Sequence, residues 1–156
     1  MKQFLFLFVL VIGLNGCASK KQQTVLFENI QVRYESMYNE LGPNAFLINT
    51  KAELDSVQSL LELSPAKGMP DLSLFLEDRS LVLVYGGMRP SAGYRLHVLK
   101  LSRTKNELFI RTRLFKPGEN CYVSTVITYP LQVVAIPKTT QVRLNLDLLE
   151  STQDCK

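Results

Sequence analysis

The fold is decided by one stretch of sequence, Leu81-Val82-Leu83-Val84-Tyr85-Gly86-Gly87-Met88-Arg89-Pro90-Ser91-Ala92-Gly93-Tyr94-Arg95-Leu96-His97-Val98. Its apolar start is short and rich in β-branched residues, which predicts a buried strand. Gly86-Gly87 permits positive φ where that strand ends, and Pro90 disfavours helix at the residue before it. The stretch therefore predicts a strand, a glycine-rich turn and a second strand.

The turn between these two strands is the candidate contact surface. Two glycine hinges hold Met88, Arg89 and Ser91 out from a sheet edge, which suits a rigid contact loop. The residues assigned to this binding loop are Gly87, Met88, Arg89, Pro90, Ser91, Gly93 and Tyr94. A tight turn between two core strands would need the same glycines and proline, so the pattern alone leaves both interpretations open.

The N-terminus has the pattern of an exported protein. After Lys2, an apolar run ends at Leu14 and is about half the ~20 residues of a membrane-spanning helix, as in a secretory signal. Leu14-Asn15-Gly16-Cys17 resembles the lipobox of bacterial lipoproteins, with leucine three residues before the cysteine. The alternative is a plain secretory signal with an unrelated cysteine.

The lipobox resemblance implies three segments. Residues 1–16 are the signal peptide, residues 17–23 are the lipidated cysteine and a polar tether, and residues 24–156 are one domain. Cys17 would carry diacylglycerol on sulfur and a further acyl chain, such as palmitate, on nitrogen, and such chains anchor a protein stably to a membrane. Ala18, in place of Asp after the cysteine, implies the outer membrane, facing the periplasm or the surface.

Composition limits the functions that the domain can have. About 130 residues after the tether are the usual size of one domain with a single core. The formal net charge is +4, but the basic residues are scattered and rarely interleaved with aromatic residues. Nucleic-acid binding is therefore not expected, and neither is a cofactor.

The chain has three cysteines, and two remain when Cys17 is assigned to lipid. An even pair in an exported domain favours a disulfide between Cys121 and Cys155. In the chain-entropy model such a bridge contributes roughly 3–4 kcal/mol. Two free thiols are the alternative, and a metal site is not expected because there are too few ligands.

One helix is predicted near the start of the domain. Thr50 and Glu53 have the spacing of a capping box, and the helix is expected to run to about Leu63. Leu54, Val57, Leu60 and Leu61 form one apolar stripe. A single amphipathic helix cannot bury itself, so this stripe is expected to cover a sheet.

The rest of the domain is predicted to be strands joined by short turns. A slip in the alternation at Leu99 predicts a β-bulge, and residues 71–75 are a short turn or strand. Short connections favour antiparallel pairing. The predicted class is α+β, an antiparallel sheet or half-barrel of about six strands with one amphipathic helix packed on a face. The segments with strand character are 24–34, 45–48, 81–85, 94–101, 108–114, 122–129, 131–136 and 142–148.

The sequence has no recognisable catalytic constellation. His97 is the one histidine and has no partner that the sequence can place beside it. Ser91 lacks the strand-to-helix context of a nucleophile elbow. Arg95, Arg111 and Arg113 could form a basic patch with His97, but a solvated polar face is the favoured interpretation of these residues. The chain is therefore predicted not to be an enzyme.

The stretch from Leu81 to Pro137 resembles the C-terminal domain of the PrcB family of protease complex subunits. The family has Thr-Gly-Gly-Tyr where this chain has Ser91-Ala92-Gly93-Tyr94, a change that keeps a hydroxyl and a small residue. The namesake is a lipoprotein that associates with a surface subtilisin-like protease. The resemblance implies a non-catalytic lipoprotein that binds or stabilises a protease or another envelope protein. The matching residues are Gly87, Arg89, Pro90, Ser91, Gly93, Tyr94, Pro130, Val133, Val134, Ile136 and Pro137.

A shorter resemblance suggests a different mechanism. The segment from Arg89 to Tyr94 is similar to the Asn-Pro-Thr-Thr-Gly-Tyr loop of chagasin-type cysteine protease inhibitors, with Arg89 in place of the family's asparagine. In that family the loop enters the protease cleft. The alternative function is therefore a protease inhibitor that uses residues 88–94.

Overall fold

The computed structural model describes residues 22–36, 40–140 and 142–155, so the predicted signal peptide and Cys17 lie outside the described residues. Strands dominate this part of the chain. The elements in chain order are β1 (Gln23–Val25), β2 (Glu28–Ile30), β3 (Tyr34–Ser36), β4 (Asn44–Ile48), α1 (Lys51–Leu60), β5 (Ser64–Pro65), a 3₁₀ helix (Leu72–Leu76), β6 (Arg79–Tyr85), β7 (Arg95–Arg103), β8 (Glu107–Pro117), β9 (Leu131–Pro137) and β10 (Arg143–Gln153).

The strands form two four-stranded sheets and a small two-stranded ladder of β3 and β5. The outer sheet has the order β1-β7-β8-β10, and the central sheet has the order β2-β9-β6-β4. The α+β class is confirmed at the coarse level, but the expectation of one sheet of about six strands was wrong. The physical reason lies in β6, which is buried along its whole apolar run and needs cover on both faces.

The two faces of β6 are covered by different elements, so the domain has three layers. Val82 and Val84 pack with residues of the outer sheet, such as Leu101 and Ile110. Leu81, Leu83 and Tyr85 point the other way, into a core completed by α1 and the 3₁₀ helix. The central sheet is therefore enclosed between the outer sheet and a helical layer.

The capping box of α1 is present as predicted. The backbone N–H of Glu53 donates to Thr50 Oγ1 at 3.2 Å, and Thr50 N–H donates to Glu53 Oε2 at 3.1 Å. Leu54, Val57 and Leu61 are buried against the central sheet, as the stripe predicts. Leu60 is 51% exposed, so its assignment to the buried stripe was wrong. The helix ends at Leu60, earlier than the predicted end at about Leu63.

The direction of β10 also differs from the prediction. The chain leaves the outer sheet after β8, forms β9 in the central sheet, and returns to pair β10 with β8 in parallel, from Arg143 opposite Glu107 to Gln153 opposite Pro117. A parallel pair needs such a crossover, here made by a strand of the other sheet. The bulge predicted at Leu99 is confirmed by a register shift between Val98 and Lys100.

Three other segments depart from their predicted form. The strand expected over 24–34 is divided, because β1 joins the outer sheet while β2 joins the central sheet. Residues 71–75 lie largely within the 3₁₀ helix. Residues 122–129 form no regular strand and instead run as an extended loop.

Two adjacent leucines test the helical layer. Leu61→Ala should lower the free energy of unfolding by about 2–5 kcal/mol, because it leaves a cavity in a fully buried site. Leu60→Ala is the matched control and should cost much less, because half of that side chain is already in water. Urea denaturation of both variants measures the difference, and equal losses would contradict the layer assignment.

Candidate functional site

The predicted binding loop begins at Gly87; with the preceding Gly86 it forms the contact loop, residues 86–94, which is hydrogen-bonded to a second loop, residues 118–130. Gly86 N–H donates to Pro130 O at 2.7 Å, and Ala92 N–H donates to Ser124 O at 2.9 Å. Between them, Arg89 and Thr128 exchange two backbone hydrogen bonds of 2.8 and 2.9 Å. The two loops therefore run antiparallel and form one surface at the end of the sandwich.

Arg89 fixes the contact loop from the inside. Its Nε and Nη2 donate to Gly86 O at 3.1 and 2.9 Å, and its Nη1 lies 3.1 Å from Glu150 Oε1 on β10. The guanidinium also lies 5.7 Å from the centre of the Tyr94 ring. The side chain is only 19% exposed, so Arg89 stabilises the loop from within. The sequence had predicted that Arg89 is held out from the sheet edge, and for this residue that prediction was wrong.

Glycine is required at both hinges. Gly87 and Gly93 have φ of +78° and +95°, a backbone conformation that residues other than glycine rarely adopt. A Cβ on Gly93 would also lie 2.9 Å from Val123 Cγ1, across the contact between the two loops. The backbone of the turn thus requires glycine at both positions. The close pairing of the two loops depends in addition on Gly93.

Pairing of the loops places apolar side chains on their outer side. Arg89 and Thr128 are directly opposite and face inward, so their neighbours Met88, Pro90 and Ile127 share the other side. Met88 is 49% exposed and Ile127 is 58% exposed. We call Met88, Pro90 and Ile127, together with the adjacent exposed Val126, the loop patch.

Half of the loop patch comes from the second loop, which the sequence analysis did not assign to the site. The β-branched composition of residues 122–129 predicted a strand. The signal against a strand was present, because Val126-Ile127 breaks the alternation that a half-buried strand needs and Pro130 follows.

A disulfide between Cys121 and Cys155 ties the second loop to the C-terminal tail. The Asn120 side chain donates to Cys155 O at 3.2 Å and accepts from Cys155 N–H at 3.3 Å. Gly118 N–H donates to Gln153 O at 2.9 Å, which continues the contact with the end of β10. The disulfide and these hydrogen bonds together join the base of the second loop to the C-terminal tail.

Two stacked tyrosines lie where the two loops join the rest of the domain. Tyr85 at the end of β6 stacks on Tyr129, with ring centres 6.4 Å apart. Burial, and to a lesser degree the neighbouring Tyr129 hydroxyl, raises the pKa of Tyr85 above its ordinary value. Tyr85 therefore stays neutral at physiological pH, and the two rings pack against each other beneath the loops.

His97 and the arginines of the predicted basic patch lie apart from this surface, whereas Ser91 is part of the contact loop. His97 is exposed on the outer sheet, edge-on to the Phe115 ring at 5.4 Å. Arg111 is paired with Asp147 at 2.9 Å, so the four residues proposed as a basic patch form a mixed polar face. Ser91 is half-buried, and its carbonyl accepts from the Thr128 hydroxyl at 2.8 Å.

No group of three or more His, Cys, Asp or Glu side chains in residues 22–36, 40–140 and 142–155 could hold a metal ion. Within the same ranges, no helix has the length and apolar character needed to cross a membrane.

The fold and the site define a small two-sheet β domain that displays an apolar surface on two paired loops. The model of the family described as PrcB C-terminal matches residues 80–137, which include both loops and the strands β7, β8 and β9. The resemblance stated from the sequence is therefore confirmed over this segment. Neither the curated proteins nor the solved structures contain a match to this chain.

Gly93 gives a direct test of the loop pairing. Gly93→Ala should lower the free energy of unfolding by roughly 1–3 kcal/mol, because it adds backbone strain and a clash with Val123. Gly42→Ala is the control, since nothing lies within 4 Å of a Cβ there and its φ is not positive. Chemical denaturation should show that control to be neutral or slightly more stable than the parent.

The disulfide can be tested by removing both of its cysteines. Replacing both Cys121 and Cys155 by alanine should lower the free energy of unfolding by roughly 2–4 kcal/mol, because the unfolded chain regains conformational freedom. Dithiothreitol should lower the melting temperature of the parent and leave that of the double variant unchanged. An equal effect of the reductant on both proteins would contradict this assignment.

Proposed function

We propose that this chain is a non-catalytic, lipid-anchored envelope lipoprotein that binds and stabilises a surface or periplasmic protease complex. The observation that carries the proposal is that the PrcB C-terminal match includes both loops of the apolar surface. The lipid anchor is Cys17, in the lipobox pattern Leu14-Asn15-Gly16-Cys17. The protease is the expected partner because the family is one of protease complex subunits.

The chemistry of the loop patch supports a binding role. Clustered exposed apolar residues on a small domain are typical of protein–protein contact sites. The charged group nearest to the patch in sequence, the Arg89 guanidinium, is occupied by Gly86 O and Glu150. The patch therefore offers shape and apolar area to a partner, and the proposal assigns no catalytic residue.

The bracing of the loops supports the same role. Binding is stronger when a surface does not have to be ordered on association. Here Arg89, the hydrogen bonds to the second loop and the Cys121–Cys155 bridge hold the patch before a partner arrives. A few residues packed at the desolvated centre of an interface contribute most of its affinity.

Two substitutions in the loop patch test the proposed partner. Full-length tagged chain is recovered from solubilised membranes, and co-purifying proteases are identified and quantified. The double variant Met88→Asp with Ile127→Asp should reduce recovery of the protease at least tenfold, since two charges would have to be desolvated in the contact. Leu149→Asp is the matched control, because Leu149 is an exposed apolar residue of the outer sheet.

The outcome separates this function from its alternative. A protease that retains its activity with the parent chain, and loses stability without it, supports a complex subunit. A protease that is slowed by the parent chain, and released from inhibition by the double variant, supports the inhibitor instead. Equal recovery of the protease with the parent and the double variant would overturn the contact surface.

A further inference from the structure

The domain has two distinct ends, and the chain enters at the end opposite to the loop patch. β1 begins at Gln23, which pairs with Arg103 at the tip of the β7–β8 hairpin. β6 runs from Arg79, beside Pro137, to Tyr85, beside Leu131. We call the hairpin tip, the β1–β2 connection and the end of β9 the entry end.

The strands hold the two ends a fixed distance apart. β8 extends over eleven residues from the entry end to the loop end, and β10 runs beside it in the same direction. At about 3.3 Å per residue, an eleven-residue strand is roughly 35 Å long. The loop patch is therefore separated from the chain entry by the long dimension of the sandwich.

The entry end exposes one large apolar side chain. Leu26, in the connection from β1 to β2, is 83% exposed. Its neighbour Phe27 is half-buried and packs against the core between the sheets. The fold therefore uses Phe27 to anchor this connection and leaves Leu26 in solvent.

Charge at the entry end is mixed. Arg79 is paired with Glu28 and Asp78, while Lys138 donates to the carbonyls of Asn49, Leu76 and Arg79. In residues 22–36, 40–140 and 142–155, the other charged groups near this end are Glu77, Arg103, Lys105, Glu107 and Arg143. Because cations and acids are nearly balanced among these described residues, their net charge favours neither an anionic nor a cationic ligand, and Leu26 is the apolar group that they surround.

The tether limits how far this end can be from an anchor at Cys17. Five residues, 18–22, separate Cys17 from β1. Even fully extended, such a segment reaches only about 20 Å. The start of β1 therefore lies within about 20 Å of any bilayer that holds the acyl chains of Cys17, and Leu26 follows three residues later.

We infer that the entry end rests on the lipid bilayer, with Leu26 in the interfacial region and the loop patch directed away from the membrane. The inference rests on the lipid anchor of the proposed function and adds an orientation and a second, non-covalent membrane contact. A partner would then reach the loop patch from the aqueous side, without competition from lipid.

The absence of tryptophan from the sequence makes the test specific. Leu26→Trp and Ile127→Trp each place a single tryptophan at an exposed position, so neither variant should disturb the fold. The full-length lipidated chain is reconstituted into vesicles of phosphatidylethanolamine and phosphatidylglycerol that contain brominated lipids. Bromine quenches tryptophan fluorescence only at short range, so the signal reports proximity to the bilayer.

We expect at least twofold quenching and a blue shift for tryptophan at position 26, and an unchanged spectrum at position 127. Equal quenching at both positions, or quenching at position 127 alone, would overturn the orientation. If the chain floats with vesicles but position 26 is not quenched, only this inference fails and the anchor stands. If the chain does not float with vesicles, the anchor fails too, while protease recovery through the loop patch is measured separately.

Discussion

The constraint on which the structure depends is the burial of β6 on both faces. An antiparallel sheet commonly leaves one face in water, and its strands then alternate apolar and polar residues. β6 cannot do so, because residues 80–87 are all buried. One face requires the outer sheet and the other requires α1 with the 3₁₀ helix. The layers of the domain are thus a consequence of a single run of apolar residues.

The contact loop follows from the same constraint. A strand that continues from β6 into a hairpin partner would extend the central sheet and leave Val82 and Val84 uncovered. Instead the chain crosses to the outer sheet between Tyr85 and Arg95, so the loop stands at the end of the sandwich. There it can be hydrogen-bonded by the second loop and braced by Glu150 of β10. The rigidity that suits a contact surface is therefore built into the way that the two sheets are connected.

Local patterns were sufficient to predict most of the elements, with residues 122–129 as an exception, but not their partners. The capping box and the bulge at Leu99 follow from spacing alone, because they depend on neighbours in sequence. Alternation tells which face of a strand is buried and not which strand lies beside it, so neither the two sheets nor the parallel β8–β10 pair could be derived. The orientation of Arg89 depends on Glu150, which no local pattern connects to it.

If Cys17 anchors the domain as proposed, the long strands keep the loop patch at a distance from the membrane. A loop patch of a few apolar residues offers a modest area, and such contacts are weak between freely diffusing proteins. Confinement of both partners at one membrane raises their effective concentration, so that a small preorganised surface can still be occupied. That gain is realised only if the surface is held clear of the lipid, because an apolar patch beside a bilayer would be covered by it. Parallel strands of eleven residues, joined along their full length, provide a rigid spacer of this kind.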